Sequence, residues 1–181
     1  MPDHAARRFA VWLLPREPER SGLRATISRL AEGHATAAFE PHVTVFAGRR
    51  DRADDVDGLL ADELAGLPPL VLRGGRYGSS TEFFKSVFIA FEPDPVLERI
   101  SRSVGARLHE PQAYDLQPHL SLIYKTLAEA DRRAIIATLG PAPARLVCDE
   151  MVVASPGPAD DWRDVPGWRI GQRFRLDGPS P

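Results

Sequence analysis

The chain alternates between two hydrophobic periods. Residues 8–14, "RFAVWLL", form a short apolar run closed by Pro15, the pattern of a buried strand. Over 17–33 the period changes: Leu23, Ile27 and Leu30 recur at i, i+4 and i+7 and mark one face of an amphipathic helix. "HVTVFA" at 42–47 predicts a second strand. Residues 51–66 return to helical spacing with Val56, Leu59, Leu60 and Leu64, and Asp51, Asp54 and Asp55 stand where a helix start favours acidic side chains. "PLVLRGGRYG" (69–78) and "EFFKSVFIAF" (82–91) predict two strands joined across Gly and Ser as a hairpin. Val96, Ile100, Val104 and Leu108 predict a helix over 94–109, and "HLSLIYK" (119–125) predicts a strand. A helix over 127–139 is stopped by Gly140 and Pro141. "ARLVCDEMVVAS" and "WRIGQRFRL" complete the strands around the loop "PGPADDWRDVPG", and the tail near 177–181 is expected to fray.

The order β-α-β-α-β-β-α-β-α-β-β states a split β-α-β pattern twice, and its hairpins imply mostly antiparallel sheet. The expected fold is therefore α+β, with two duplicated lobes around a central cleft. No Gly/Ser-rich linker separates the halves, so residues 1–181 are expected to form a single bilobal domain.

The duplication is visible in one short device. "EPHVTVF" at 40–46 and "QPHLSLI" at 117–123 both run polar, Pro, His, apolar, hydroxyl, apolar, apolar. In a strand, alternate side chains share a face. His42 and Thr44 therefore point together, as do His119 and Ser121, with Val43, Val45, Leu120 and Leu122 behind them. Pro41 and Pro118 hold the preceding residue extended and suit the start of a strand. A third match, "HAT" at 34–36, lacks the proline and the apolar alternation, so His34 and Thr36 are taken as surface residues. His4 and His109 have no companion hydroxyl.

Two opposed imidazoles suit proton transfer in both directions, because their unperturbed pKa lies near neutrality. One accepts a proton from an attacking water while the other donates one to a leaving oxygen. The hydroxyls are placed to donate to the non-bridging oxygens of a phosphate between them. This chemistry requires no metal and no cofactor.

Composition narrows the ligand. A net charge of −2 provides no basic field for long nucleic acid, although a local donor cluster can still hold a small anion. A single cysteine, Cys148, excludes an internal disulfide and a cysteine-based zinc cage, and its strand context predicts a buried, inert thiol. "FAVWLLP" is too short for a signal peptide or a membrane span, so a cytoplasmic protein with no membrane contact is expected.

"PHVTV" and "PHLSL" resemble the paired H-x-T/S motifs of the two-histidine phosphoesterase superfamily, closest to the plant- and yeast-type cyclic phosphodiesterases. "VWLLP" at 11–15, "EFFKSVFI" at 82–89 and "LSLIY" at 120–124 are similar to the same group. The resemblance implies hydrolysis of a small cyclic-phosphate nucleotide: nucleoside 2′,3′-cyclic phosphates opened to 2′-phosphates, or ADP-ribose 1″,2″-cyclic phosphate; a monomer is expected. It assigns acid and base roles to His42 and His119, without saying which is which, and phosphate contacts to Thr44 and Ser121. Tyr124 matches a ligand-facing tyrosine, although strict alternation turns it to the Leu120 and Leu122 face unless the strand bends. Phe84 matches an aromatic that stacks on a base, and core packing explains that position equally well. Trp12 is similarly open. Lys85 and Lys125 are available to attract the substrate's charge. Two alternatives stand beside this: a 2′,3′-cyclic phosphodiesterase acting on short RNA ends, as in the 2′-5′ RNA ligase-like branch, and a nucleotide-binding module with little turnover.

Overall fold

The computed structural model describes residues 6–51 and 53–179. Chain order is β1 (Arg7–Pro15), α1 (Glu19–Gly33), β2 (Val43–Arg50), α2 (Val56–Leu64), β3 (Leu70–Arg73), β4 (Arg76–Ser79), β5 (Val87–Ala90), α3 (Pro95–Arg107), β6 (His119–Ile123), α4 (Glu129–Thr138), β7 (Arg145–Ser155) and β8 (Arg169–Arg175). Among the described residues no helix is long and apolar enough to cross a membrane.

All eight strands join one antiparallel sheet in the order β3-β7-β1-β2-β6-β5-β4, with β8 on the outer edge of β7 beyond β3. Helices cover one face. Their apolar stripes (Ile27 and Leu30; Val56, Leu59, Leu60 and Leu64; Leu97, Ile100 and Val104; Ile135) meet the odd-numbered side chains of β1, Phe9, Val11 and Leu13, and Val43, Leu120, Leu122 and Ile89 of the central strands. Asp55 caps α2 by accepting from the Gly58 amide at 2.8 Å. Asp94 caps α3 by accepting from Val96 and Leu97, with Pro95 at the first helical position. Cys148 lies in this core, and burial raises its thiol pKa.

The two halves meet along a narrow seam. β2 and β6 share a single ladder pair, Val43 opposite Leu120. From there β1 and β7 extend one way, β5 and β4 the other, and the uncovered face folds inward between them.

One sequence expectation is corrected here. The run 69–78 is two strands: β4 forms the hairpin with β5, whereas β3 pairs with β7 on the opposite edge. The physical reason is the Gly74–Gly75 step. Gly74 adopts φ +70°, which L side chains rarely adopt, and a Cβ on Gly75 would meet the Pro143 carbonyl oxygen at 1.9 Å. Two residues thus connect opposite edges of a seven-strand path that would be roughly 29 Å wide if flat. The sheet must curl until those edges meet, and the Glu92 amide donates to the Arg73 carbonyl at 3.0 Å across the closure. At the far end, the Gly178 amide donates to the Leu67 carbonyl at 3.0 Å, while residues 180 and 181, like His4, lie outside the described residues.

Gly75→Ala is expected to lower unfolding free energy by about 1–3 kcal/mol, because the obstructing atom is backbone and cannot turn away. Urea denaturation measures this; an unchanged midpoint would mean that the closure tolerates a side chain.

Candidate active site

The seam fixes the site. With Val43 opposite Leu120 in antiparallel register, His42 falls opposite Ser121 and Thr44 opposite His119 on the uncovered face. The four side chains form a quadrilateral with the imidazoles on one diagonal, at roughly the 7–8 Å spacing of diagonal cross-strand neighbours. All four line one cavity of about 260 Å³, together with Trp12, Phe84, Lys85 and Tyr124. Its remaining wall includes Glu82, Tyr114, Trp162 and Trp168, and its small residues are Ala10 and Ala47.

Each histidine is held the same way. His42 Nδ1–H donates to the Glu40 carbonyl at 2.6 Å, and His119 Nδ1–H donates to the Gln117 carbonyl at 2.6 Å. A carbonyl only accepts, so both rings carry their neutral-form proton on Nδ1 and present Nε2. The residue before each proline is itself anchored. Glu40 is gripped by Arg20 and Arg24, and Gln117 accepts from Lys85 Nζ at 2.8 Å and donates to Asp115 at 2.8 Å. An aromatic ring flanks each imidazole: Trp12 stacks on His42 at 3.9 Å, and Phe88 meets His119 edge-on at 5.5 Å. Trp12 pairs with Thr44 and Phe88 with Ser121, so these rings occupy equivalent positions in the two halves.

The chain phase changes twice, identically. Between Val11/Trp12 and Phe46/Thr44 the register gains an extra residue, Val45; between Val87/Phe88 and Ile123/Ser121 it gains Leu122. Each is a β-bulge, which turns two successive side chains to one face. Val45 and Phe46 are both buried in the core, as are Leu122 and Ile123. The next residue then returns to the cavity: Ala47 in one half, Tyr124 in the other. The bend that Tyr124 needs is therefore present. Its hydroxyl lies 3.4 Å from His42 Nε2, and its ring stacks on Phe39 at 3.7 Å.

Electrostatics distinguish the halves. His42 is 5% exposed, and burial lowers its pKa to about 4 against the opposing hydrogen bond to Glu40, with repulsion from His119 adding to the depression. His119 is partly exposed; burial, then nearby Lys85, lower its pKa despite the bond to Gln117. Burial raises Tyr124, which stays a neutral donor.

Some details differ from expectation. The Ser121 hydroxyl donates to the Phe84 carbonyl at 2.7 Å, so its one proton is already engaged and must turn to reach a ligand. That bond seats the 3-10 turn Phe83–Lys85 and holds Phe84, 37% exposed, at the cavity rim. Lys125 donates to the His34 carbonyl and does not line the cavity. Thr36, taken from sequence as a surface residue, is partly buried and donates to the Tyr124 carbonyl at 2.8 Å, bracing the end of β6. Trp162 and Trp168 were missed by sequence reasoning. The available signal was two tryptophans within and at the end of an otherwise polar loop; Trp168 Nε1 donates to the Trp162 carbonyl at 2.9 Å and keeps them together.

Comparison with known proteins agrees with this architecture. The family described as cyclic phosphodiesterase-like protein matches residues 8–175. A cyclic phosphodiesterase from Arabidopsis thaliana is 25% identical over 125 residues, covering 69% of each chain. Among solved structures, E. coli LigT complexed with 3′-AMP superposes with a TM-score of 0.57 at 16% identity, covering 94% of this chain and 98% of its own. LigT complexed with ATP gives a TM-score of 0.57 at 15% identity, covering 96% and 99%. The family match spans nearly the whole chain, so this protein belongs to the cyclic phosphodiesterase-like family of the two-histidine phosphoesterases and is a phosphodiesterase.

Proposed function

We propose that this enzyme opens a small cyclic phosphate, either a nucleoside 2′,3′-cyclic phosphate to the 2′-phosphate or ADP-ribose 1″,2″-cyclic phosphate, by paired histidine catalysis without a metal. The observation that carries this is the single Val43–Leu120 pairing, which gathers two His/hydroxyl pairs on one small cavity. The relative from Arabidopsis is named a cyclic phosphodiesterase, and the LigT structures are complexed with 3′-AMP and with ATP, which supports a nucleotide as the ligand.

In this mechanism His42 is the base. Burial keeps it neutral and Nδ1–H is committed to Glu40, so the lone pair lies on Nε2, which takes a proton from water once the Tyr124 hydroxyl 3.4 Å away turns to the phosphate. The water oxygen bonds to phosphorus as the opposite phosphorus–oxygen bond to the sugar breaks. His119, partly exposed, is the acid and gives its Nε2 proton to that departing sugar oxygen. One water is consumed, the two imidazoles exchange protonation states, and solvent restores them. Thr44, and Ser121 once it turns from Phe84, donate to the non-bridging oxygens; Tyr124 donates beside His42, and Phe84 stacks on the base at the rim. The bound anion favours the imidazolium form and raises a pKa that burial alone had lowered.

The decisive experiment is phosphorus NMR of the purified enzyme with a panel of 2′,3′-cyclic nucleotides and ADP-ribose 1″,2″-cyclic phosphate. Ring opening to a 2′-phosphomonoester, or loss of the 1″,2″-cyclic resonance, is expected; a panel left intact would overturn the proposal. His42→Ala and His119→Ala should each lower kcat by about 10²–10⁴-fold, and the double variant should be little worse than either. Turnover should persist in EDTA, and abolition restored by one added metal would replace the mechanism.

The pH dependence has a definite sign. In free enzyme the base deprotonates near pH 4 and the acid loses its proton below its ordinary 6.5. The kcat/KM bell should therefore lie on the acid side of 6.5. Bound phosphate raises both limbs, so the kcat bell should lie at higher pH than the kcat/KM bell. A kcat bell at or below the kcat/KM bell would contradict paired imidazoles around a bound anion.

A further inference from the structure

The sheet register that builds the quadrilateral continues outward into β5 and β4. His119 is paired with Ala90, and Ala90 with Arg76, so the three side chains stand in one row on the cavity face. Arg76 is thus two strand spacings, roughly 10 Å, from His119 along the sheet. The residue between them is alanine, which leaves the row open. A second cavity of about 380 Å³ occupies this space and shares His119 and Lys85 with the first. Its apolar wall includes Phe88, Phe91, Pro93 and Pro118, and the two charged side chains on it, Arg76 and Lys85, are both cations. Phe88 lies flat against β4 because Gly78, its ladder partner, has no side chain: a Cβ there would meet the Phe88 ring at 2.6 Å. Lys85 Nζ sits 5.0 Å from the centroid of the same ring. Arg76 is exposed and has no ion-pair partner among the described residues.

The other half closes the equivalent path. There the register sets Leu14 beside His42, where Ala90 stands beside His119, and Leu14 is fully buried. Beyond it lies Glu150, whose carboxylate is held by Arg20 at 3.0 Å and Arg173 at 2.9 Å. Of these two equivalent paths along the sheet, the one past His119, over Ala90, to Arg76 is open.

We infer that this channel is a second phosphate subsite, and that the preferred substrate carries, besides its cyclic phosphate, a pyrophosphate or phosphodiester that Arg76 engages. The inference rests on the proposed cyclic phosphodiesterase activity and extends it to substrate class. It also agrees with His119 as acid, since the leaving sugar oxygen belongs to the part of the substrate that runs along the channel. Lys85 lies between the two phosphates and serves both.

The test compares three substrates in wild type and Arg76→Gln: adenosine 2′,3′-cyclic phosphate, a dinucleotide ending in a 2′,3′-cyclic phosphate, and ADP-ribose 1″,2″-cyclic phosphate. Arg76→Gln should lower kcat/KM about tenfold through KM on substrates with a second phosphate, and leave the mononucleotide within about twofold. Arg76→Lys should recover part of the loss. A loss confined to the dinucleotide assigns the channel to an RNA end, and one confined to the ADP-ribose derivative assigns it to a pyrophosphate. Equal effects on all three substrates, or none on any, would overturn the subsite. Calorimetry with ADP needs no turnover and separates the two claims. Weaker ADP binding to Arg76→Gln, with no cyclic phosphate cleaved by wild type, would sink the proposed activity and keep the subsite. Unchanged ADP binding would remove the subsite whatever the activity.

Discussion

Val43 and Leu120 pair backbone to backbone at the middle of the molecule, and the pairing constrains far more than two residues. Side chains along a strand repeat every second position, so one antiparallel pair dictates what stands opposite what on both faces. Here the covered face receives the paired Val43 and Leu120, both fully buried, and the open face receives His42, Thr44, His119 and Ser121. A slip by one residue would put a histidine into the helix-packed core and an apolar side chain into the cleft. Burying an uncompensated imidazole is costly, so the hydrophobic core and the polar quadrilateral enforce the same register. The core thereby specifies the site.

Around that pair the local devices are duplicated. A proline sets the entry to each strand, a carbonyl two residues before each histidine accepts a hydrogen bond from its Nδ1–H, and an aromatic ring flanks each imidazole. An identical bulge follows each motif. Both rings thus have fixed orientation and fixed tautomer before any ligand arrives, which limits the reorganisation that a reaction would require. What differs between the halves is their surroundings: His42 is enclosed by Trp12 and Tyr124, whereas His119 remains partly exposed.

Much of this was legible in the chain because hydrophobic period is a local property. Three of the four helices, the two motif strands and the shared face of each His/hydroxyl pair follow from spacing, and the fourth helix was marked by its Gly140–Pro141 stop. The bulges were harder. Strict alternation sends Tyr124 to the core face, and the corrective signal was the doubling of apolar residues in "VF" and "LI" after each hydroxyl. Partner choice was not legible at Gly74–Gly75: the glycines announce a break, but not that the strands on either side join opposite edges of the sheet. Trp162 and Trp168 reach the cavity by tertiary packing of a loop, which no strand or helix period encodes.

The bulges also leave the duplicated halves with one telling inequality. Position for position, Tyr124 corresponds to Ala47, so a hydroxylated ring stands on one side where a methyl group stands on the other. A perfectly twofold cleft would accept an unsymmetrical guest in either of two poses. The exchange of phenol for methyl removes that equivalence, so the two poses meet different walls.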